Sequence, residues 1–341
     1  MPLTAFLLTI VDTLSILFLG DIMQHQGQLR SALTPGADTM LSASYDYSSY
    51  FTHVRPLIDG ADLTVANMEF CLGGPPYTGY PSFSAPESLP AEADSAGIGL
   101  FLCANNHICD RGRRGLVSTI DRYSTLGIPY TGIYCDSIAE ASSNPYITEI
   151  RGVRLAFVNF TYGTNGMRVP PPLIVNMMDR KAVRAAMLRA RKADADIIIA
   201  LPHWGPEYVT EPSDVQREWA DSLLAWGADA VIGTHPHVVQ NVEFPVVYSL
   251  GNFVSNMSRH DTELGLAYRL DIAVTVSGLA FLAGGEAIPL WCSRPGGYGK
   301  EYTVLPVKEF VGRRDEFLGG WNYDRMIDTY TRLRPLFEQQ K

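Results

Sequence analysis

Short apolar runs of strand character alternate along the chain with amphipathic stretches of helical period, and each run ends in a polar turn. Ser15 to Leu19 leads into Gly20-Asp21, Asp62 to Ala66 into Asn67-Met68-Glu69, and Leu100 to Cys103 into Ala104-Asn105-Asn106-His107. Further on, Ile197 to Leu201 leads into Pro202-His203-Trp204-Gly205, Ala230 to Ile232 into Gly233-Thr234-His235-Pro236-His237, and Val246 to Leu250 into Gly251-Asn252. Helices are predicted between them over Arg113 to Leu126, Asp179 to Ala193 and Ser213 to Trp226. The last opens on a Ser213-Asp214 cap and stops at Gly227. Strand, helix, strand in succession predicts a largely parallel or mixed sheet. Ligands bind such sheets beyond the carboxyl ends of the strands, so all six polar turns should gather on one edge.

Composition narrows the reading. A chain of 341 residues with 46% hydrophobic content has ample material for one large α/β core or two smaller ones. Its formal net charge of -9 argues against nucleic acid as the partner, because that binding rests on Lys and Arg neutralising phosphates. Five scattered cysteines contain no Cys-x-x-Cys pair and read mostly as core thiols, with a reactive or ligating role the lesser alternative for Cys103 and Cys109 beside the Asn-Asn-His turn. The apolar stretch Ala5 to Val11 has no Lys or Arg before it and ends at Asp12, so it reads as a signal remnant or as an extra strand. No integral membrane span is expected elsewhere. Pro75 to Pro90, Pro170 to Pro172 and Ser293 to Gly299 read as loops, able to wall a pocket or merely tolerated, and Asp324 to Glu338 as a closing helix packed on the outside.

The polar turns carry a coherent set of ligands. His235 and His237 flank a proline that restricts the backbone, so two imidazoles can be held toward one centre, and His203 ends another strand. Histidines beside Pro and Gly can equally be plain turn residues. Asp21 and Glu69 each follow an apolar strand, where a carboxylate is costly to bury unless a cation accompanies it, although Asp21 also suits a turn. Asn106 offers a neutral carbonyl oxygen. Three histidines, two carboxylates and an asparagine suffice for two adjacent cations sharing a carboxylate, a site type that activates water. With no thiolate in the set, one or two divalent ions of Mn, Fe, Zn or Mg are allowed. His107 follows Asn106 and is placed as a general acid or as an electrostatic clamp on substrate, with Asp110 three residues on to orient it; a core or capping histidine is the alternative.

Taken together, Gly20-Asp21-Ile22-Met23, Ala61-Asp62-Leu63 through Asn67-Met68-Glu69, and Ala104-Asn105-Asn106-His107 through Asp110-Arg111-Gly112 resemble successive signatures of the CapA capsule-synthesis family. So do His203-Trp204-Gly205-Pro206-Glu207-Tyr208, Gly233-Thr234-His235-Pro236-His237 with Gln240, and Tyr248-Ser249-Leu250-Gly251-Asn252-Phe253. The resemblance implies an α/β protein with a metallophosphatase-like four-layer α/β/β/α sandwich of two mixed β-sheets. It frames residues 15–310 as that domain, after an N-terminal segment 1–14 and before a C-terminal helical extension 311–341. It implies Asp21, Glu69, Asn106, His203, His235 and His237 as metal ligands, with His107 in the position of the phosphatases' catalytic histidine.

The activity implied is that of a metal-dependent hydrolase or transferase cleaving a phosphoester or γ-glutamyl amide in capsule or poly-γ-glutamate synthesis or release. The alternative is a non-catalytic, polymer-binding accessory factor that retains a metal site. Partners would be an anionic polymer or phosphorylated substrate and other capsule-synthesis proteins, at the cell envelope or in the cytoplasm. Asn67, Arg111, Glu207, Tyr208 and Asn252 are candidates for substrate contact or for orienting ligands, although Tyr208 also suits aromatic packing. Arg111, Arg113 and Arg114 crowd a helix start as a grip for polyanion or as a solvated basic turn. Two departures stand out: Met23 replaces the phosphatases' histidine two positions after Asp21, and Asn67-Met68-Glu69 replaces their Gly-Asp pair. Met is a poor ligand for a hard cation, which weakens one of the two positions. His25 is a substitute, or a surface residue.

Overall fold

The computed structural model describes residues 9–338. Ile133–Tyr134 and Ile174–Val175 pair as a small two-stranded sheet, and the strands of the two large sheets are, in order, β1 (Ile10–Ile22), β2 (Leu63–Met68), β3 (Ile98–Leu102), β4 (Tyr130–Thr131), β5 (Tyr146–Ile150), β6 (Val153–Thr161) and β7 (Ile197–His203). There follow β8 (Ala230–Ile232), β9 (Val242–Glu243), β10 (Val246–Val247), β11 (Asn252–Val254), β12 (Leu264–Thr275), β13 (Ala280–Ser293) and β14 (Thr303–Pro306). One sheet has the order β14-β13-β12-β1-β2-β3-β4 with β11 also beside β1, and the other β9-β10-β8-β7-β6-β5. Both are mixed. β1 to β4 run parallel while β12 to β14 are antiparallel, and β6, β7, β8 and β10 run parallel between antiparallel edges.

The two-residue period of a strand sorts side chains to opposite faces, and here both faces of each sheet are covered. From β1, Ile16 and Phe18 join Val65 and Leu100 against Leu155, Phe157, Ile197 and Ile199 of the other sheet. The alternate residues Leu17 and Leu19, with Ala66 and Phe101, pack against Leu116, Ile120 and Tyr123 of helix α1 (Gly112–Leu126). Beyond the second sheet, Val158, Ile198, Ala200 and Val231 meet Val183 and Met187 of α2 (Arg180–Lys192) and Trp219 and Leu223 of α3 (Asp214–Ala225). Helix, sheet, sheet, helix is the expected metallophosphatase-like α/β/β/α sandwich.

The caps explain where helices start. Asp179 accepts the amide of Ala182 ahead of α2, and Ser213 and Gln216 form a reciprocal capping box ahead of α3. The closing helix α4 (Gly320–Leu333) begins four residues earlier than its sequence suggests. It also feeds Met326 and Leu333 into the core shared by the two sheets rather than only covering the outside. The apolar stretch Ala5 to Val11 lies mostly outside the described residues, and from Ile10 the chain is already in β1. Among the described residues no helix is long and apolar enough to cross a membrane.

One predicted strand divides. Val246 to Leu250 stays in the second sheet only through Val247, after which the chain crosses to the first sheet and pairs Asn252 with Asp21. The crossing is fixed by backbone bonds to both sides: Leu250 N donates to Gly233 O (3.0 Å) and Asp21 N donates to Gly251 O (3.1 Å). Such close approach admits no side chain, for a Cβ on Gly20 would stand 2.0 Å from Gly251 O and one on Gly233 2.2 Å from Tyr248 O. Gly20→Ala is therefore expected to lower unfolding free energy by roughly 1–3 kcal/mol or more. Ser213→Ala, which removes only a helix cap, should cost about 1 kcal/mol. Urea denaturation of both variants checks the order; a Gly20→Ala protein as stable as the parent would contradict the crossing.

Candidate metal centre

The carboxyl ends of the parallel strands deliver their polar turns to one place. Asp21 closes β1, Glu69 follows β2, Asn105 to His107 follow β3, His203 ends β7, His235 and His237 follow β8, and Asn252 opens β11. Asp21, Glu69, Asn106, His203, His235 and His237 are at most 2% exposed. Their donor atoms form two overlapping groups, Asp21, Glu69, His203 and Glu69, His235, His237, each with atoms mutually within 4.8 Å. Glu69 belongs to both. Asn106 joins the first group, its Oδ1 lying 2.9 Å from His203 Nε2.

Neighbouring residues set these side chains. Asn67 donates through Nδ2 to Asp21 Oδ1 (2.7 Å), and Asn105 donates to Asn67 Oδ1 (3.3 Å) and to Met68 O (2.8 Å). Thr234 Oγ1 lies 3.0 Å from His203 Nδ1, and Asn252 Oδ1 lies 3.1 Å from His237 Nδ1. His235 and His237 both have positive φ, 100° and 60°, a conformation side chains seldom adopt. The strain is held by partners on both flanks: His235 N donates to Asp21 Oδ2 (3.3 Å) and Tyr208 N donates to Pro236 O (2.8 Å).

Electrostatics supply the test of fit to a cation. Both Glu69 oxygens and His235 Nδ1 are buried without a hydrogen-bond partner. Glu69 Oε1 stands 3.7 Å from His237 Nε2 and 3.9 Å from His203 Nε2, too far for a hydrogen bond. Burial, then the nearby Asp21 carboxylate, pushes Glu69 well above the usual carboxylate range. Burial and the neighbouring imidazoles push His203 and His235 well below the usual histidine value, so they stay neutral, the form that ligates metals. Orphaned carboxylate oxygens facing neutral imidazoles fit a divalent cation, and nothing in the donor set selects which one.

Beside this cluster opens a cavity of about 690 Å3 lined by His25, Tyr80, Asn106, His107, Asp110, Glu207, Tyr208, His237 and Arg259, among others. His107 Nδ1 lies 2.7 Å from Asp110 Oδ2, and Phe83 packs edge-on at 4.5 Å while its amide donates to the same carboxylate oxygen (2.8 Å). The loop Pro75 to Pro90 thus does wall the pocket.

The structure sorts the other sequence candidates. Asn67 and Asn252 touch candidate ligands, and Glu207 and Tyr208 line the cavity. Arg111 does neither, since its Nη1 donates to Thr78 Oγ1 (3.3 Å) and its methylenes lie against Gly73 and Gly115. Met23 is fully buried in the apolar core on the α1 side of the first sheet. His25 is not a surface residue: it is half-buried in the cavity wall, its pKa lowered to about 4 by burial, and it stays apart from both ligand groups. Sequence reasoning missed Asn165, which accepts from Asn106 Nδ2 (3.3 Å), and Arg259 at the cavity. A signal existed for Asn165, because β6 running into Tyr162-Gly163-Thr164-Asn165 is a seventh copy of the strand-and-polar-turn pattern.

Known proteins resemble this chain. A family model described as Bacterial capsule synthesis protein PGA_cap matches residues 15–257. The PGA biosynthesis protein CapA of Bacillus subtilis (strain 168) is 27% identical over 257 residues, covering 71% of this chain and 63% of that protein. The capsule biosynthesis protein CapA of Bacillus anthracis is 27% identical over 254 residues, covering 68% and 61%. The chain thus spans less than two thirds of the length of these curated relatives. Among solved structures, the NAD nucleotidase NadN of Haemophilus influenzae is similar with a TM-score of 0.48 at 14% identity, covering 95% of this chain and 56% of that one. Because the matched segment runs from β1 past Asn252 and so includes every residue of the buried cluster, the chain belongs to the bacterial capsule synthesis protein family PGA_cap.

Proposed function

We propose that this chain is a metal-dependent hydrolase or transferase acting in the synthesis or release of a capsule polymer of the poly-γ-glutamate kind. The observation that carries the reading is Glu69, a wholly buried carboxylate with two unpartnered oxygens, shared by two groups of histidine and carboxylate donors. Asp21, Glu69, Asn106, His203, His235 and His237 would hold one or two divalent ions of Mn, Fe, Zn or Mg. A divalent cation there supplies Lewis-acid polarisation and an activated water. The printed names of the Bacillus relatives, PGA biosynthesis and capsule biosynthesis, support the polymer as the setting.

The chain's own residues supply the remainder. With Nδ1 engaged by Asp110, His107 is left with Nε2 as the atom that holds a proton and hands it to a leaving group. Phe83 fixes the ring plane, and its amide holds Asp110 in register with it. Asn67 and Asn252 orient Asp21 and His237, and Tyr208 and Glu207 face the substrate space. One observation favours a second reading, the polymer-binding accessory factor: Met23, shut in the core, offers no ligand where the phosphatase pattern has a histidine. Polymer binding that survives metal removal, with no hydrolysis of phosphoesters or γ-glutamyl bonds, would select that reading.

His107→Ala is expected to lower turnover at least 10²-fold while elemental analysis finds its metal content unchanged. His235→Ala should lose both metal and turnover, and full activity in the two variants would remove the enzymatic reading. Chelation should lower the melting temperature, and adding back the correct cation at a hundredfold over its Kd should restore about 2.7 kcal/mol. Glu69→Gln gives a change of sign. In chelated protein it should raise the melting temperature, because a buried carboxyl held far above its normal pKa opposes folding at neutral pH. In metal-loaded protein it should lower it.

A further inference from the structure

The cavity beside the metal cluster is walled by an acidic protein, yet its described lining contains one arginine and no lysine. That arginine is Arg259, on the exposed turn that follows β11. His25 adds no second positive charge at neutral pH, since burial lowers it to about 4. Elsewhere on the surface, Arg151, Arg189, Arg314 and Arg332 each rest on a carboxylate of this chain. Arg259 rests on a ring: its guanidinium carbon lies 4.4 Å from the centroid of Tyr208, and among the described residues it makes no ion pair.

Both supports of this guanidinium are tied to the candidate ligands. Tyr208 is anchored through its amide to Pro236 O, between His235 and His237. The Arg259 carbonyl accepts from Thr262 Oγ1 (2.8 Å), and the Thr262 carbonyl accepts from Asn252 Nδ2 (3.0 Å), the side chain that also meets His237. A stacked guanidinium keeps its edge donors free and loses less freedom on engaging a planar or tetrahedral anion in a forked geometry.

We propose that Arg259 is the specificity-determining residue of this cavity, a guanidinium clamp for an oxyanion, carboxylate or phosphate, carried by the substrate. The inference rests on reading the cavity as the substrate site, and it moves the anion grip from the Arg111 region, which lies off the cavity, to a residue stacked beside the His-Pro-His turn.

The test is equilibrium binding to the full chain, read without turnover. The probes are a fluorescent hexamer of γ-linked glutamate, its uncharged γ-linked glutamine counterpart, and phenyl phosphate as competitor. The parent chain should bind the acidic hexamer about tenfold or more tighter than the neutral one, the worth of one charge-assisted hydrogen-bond pair. Arg259→Gln should bring the two within about twofold, and Arg259→Lys should fall between. Competition by phenyl phosphate that disappears in Arg259→Gln assigns phosphate to the same clamp; preference for the acidic hexamer without such competition assigns carboxylate. Equal discrimination in parent and Arg259→Gln overturns the proposal, as does a parent chain that binds neither anionic probe. A chain that binds through Arg259 yet hydrolyses nothing would retire the enzymatic reading and leave this one standing. Turnover whose KM for the anionic substrate is unmoved in Arg259→Gln would do the reverse.

Discussion

The buried carboxylate of Glu69 is the constraint from which the rest of the site follows. Removing a carboxylate from water costs several kcal/mol unless opposite charge or donors replace the lost hydration, and Glu69 has no donor. Around it stand three imidazoles that burial keeps neutral or that already face other partners, and a second carboxylate, Asp21. Such a group opposes folding by itself. It is tolerable only where the two sheets provide enough apolar burial to carry it, and advantageous only where a cation arrives. Asparagines and Thr234 bond Asp21, His203 and His237, while the Glu69 oxygens and His235 Nδ1 are left unpartnered.

Holding donors from both sheets within 4.8 Å of one another demands that the sheets touch at their edges. The crossing from Tyr248 to Asn252 brings backbone against backbone, which is why Gly20, Gly233 and Gly251 lie where the chain passes. The same crossing places Asn252 at once beside Asp21 in register and beside His237 through its side chain. Positive φ at His235 and His237 is a local cost set against this geometry. Fold and site are therefore one arrangement, and a change in the crossing would move ligands as well as strands.

Much of this could be read from the residues. Each apolar run followed by Asp, Glu, Asn or His revealed both a strand and the edge at which it ends, so the six candidate ligands and the His107 with Asp110 pair were visible before any coordinates. What stayed hidden depends on long-range contact. Val246 to Leu250 has the apolar run of a strand, and nothing local says that the chain changes sheets after Val247. Met326 and Leu333 look like one face of an outer helix, and only the packing shows that they enter the core between the sheets. His25 and Arg259 lie in turns without periodicity, and Arg259 acquires meaning only from Tyr208, brought to it from the end of another strand.

The two departures from the phosphatase pattern explain each other. Residue 23 lies beyond the last residue of β1, where the strand's alternation no longer governs direction, and its side chain enters the apolar core instead of following Asp21. An imidazole brings two ring nitrogens to satisfy and a thioether none, so methionine suits a fully buried position in this core. The second motif differs in reach. Glu69 is one methylene longer than the aspartate of the usual pattern and reaches both groups at once, with His203 and Asp21 on one side and His235 and His237 on the other. The two candidate donor groups meet in this one carboxylate, whereas the Met23 side chain, turned into the core, adds no atom to either.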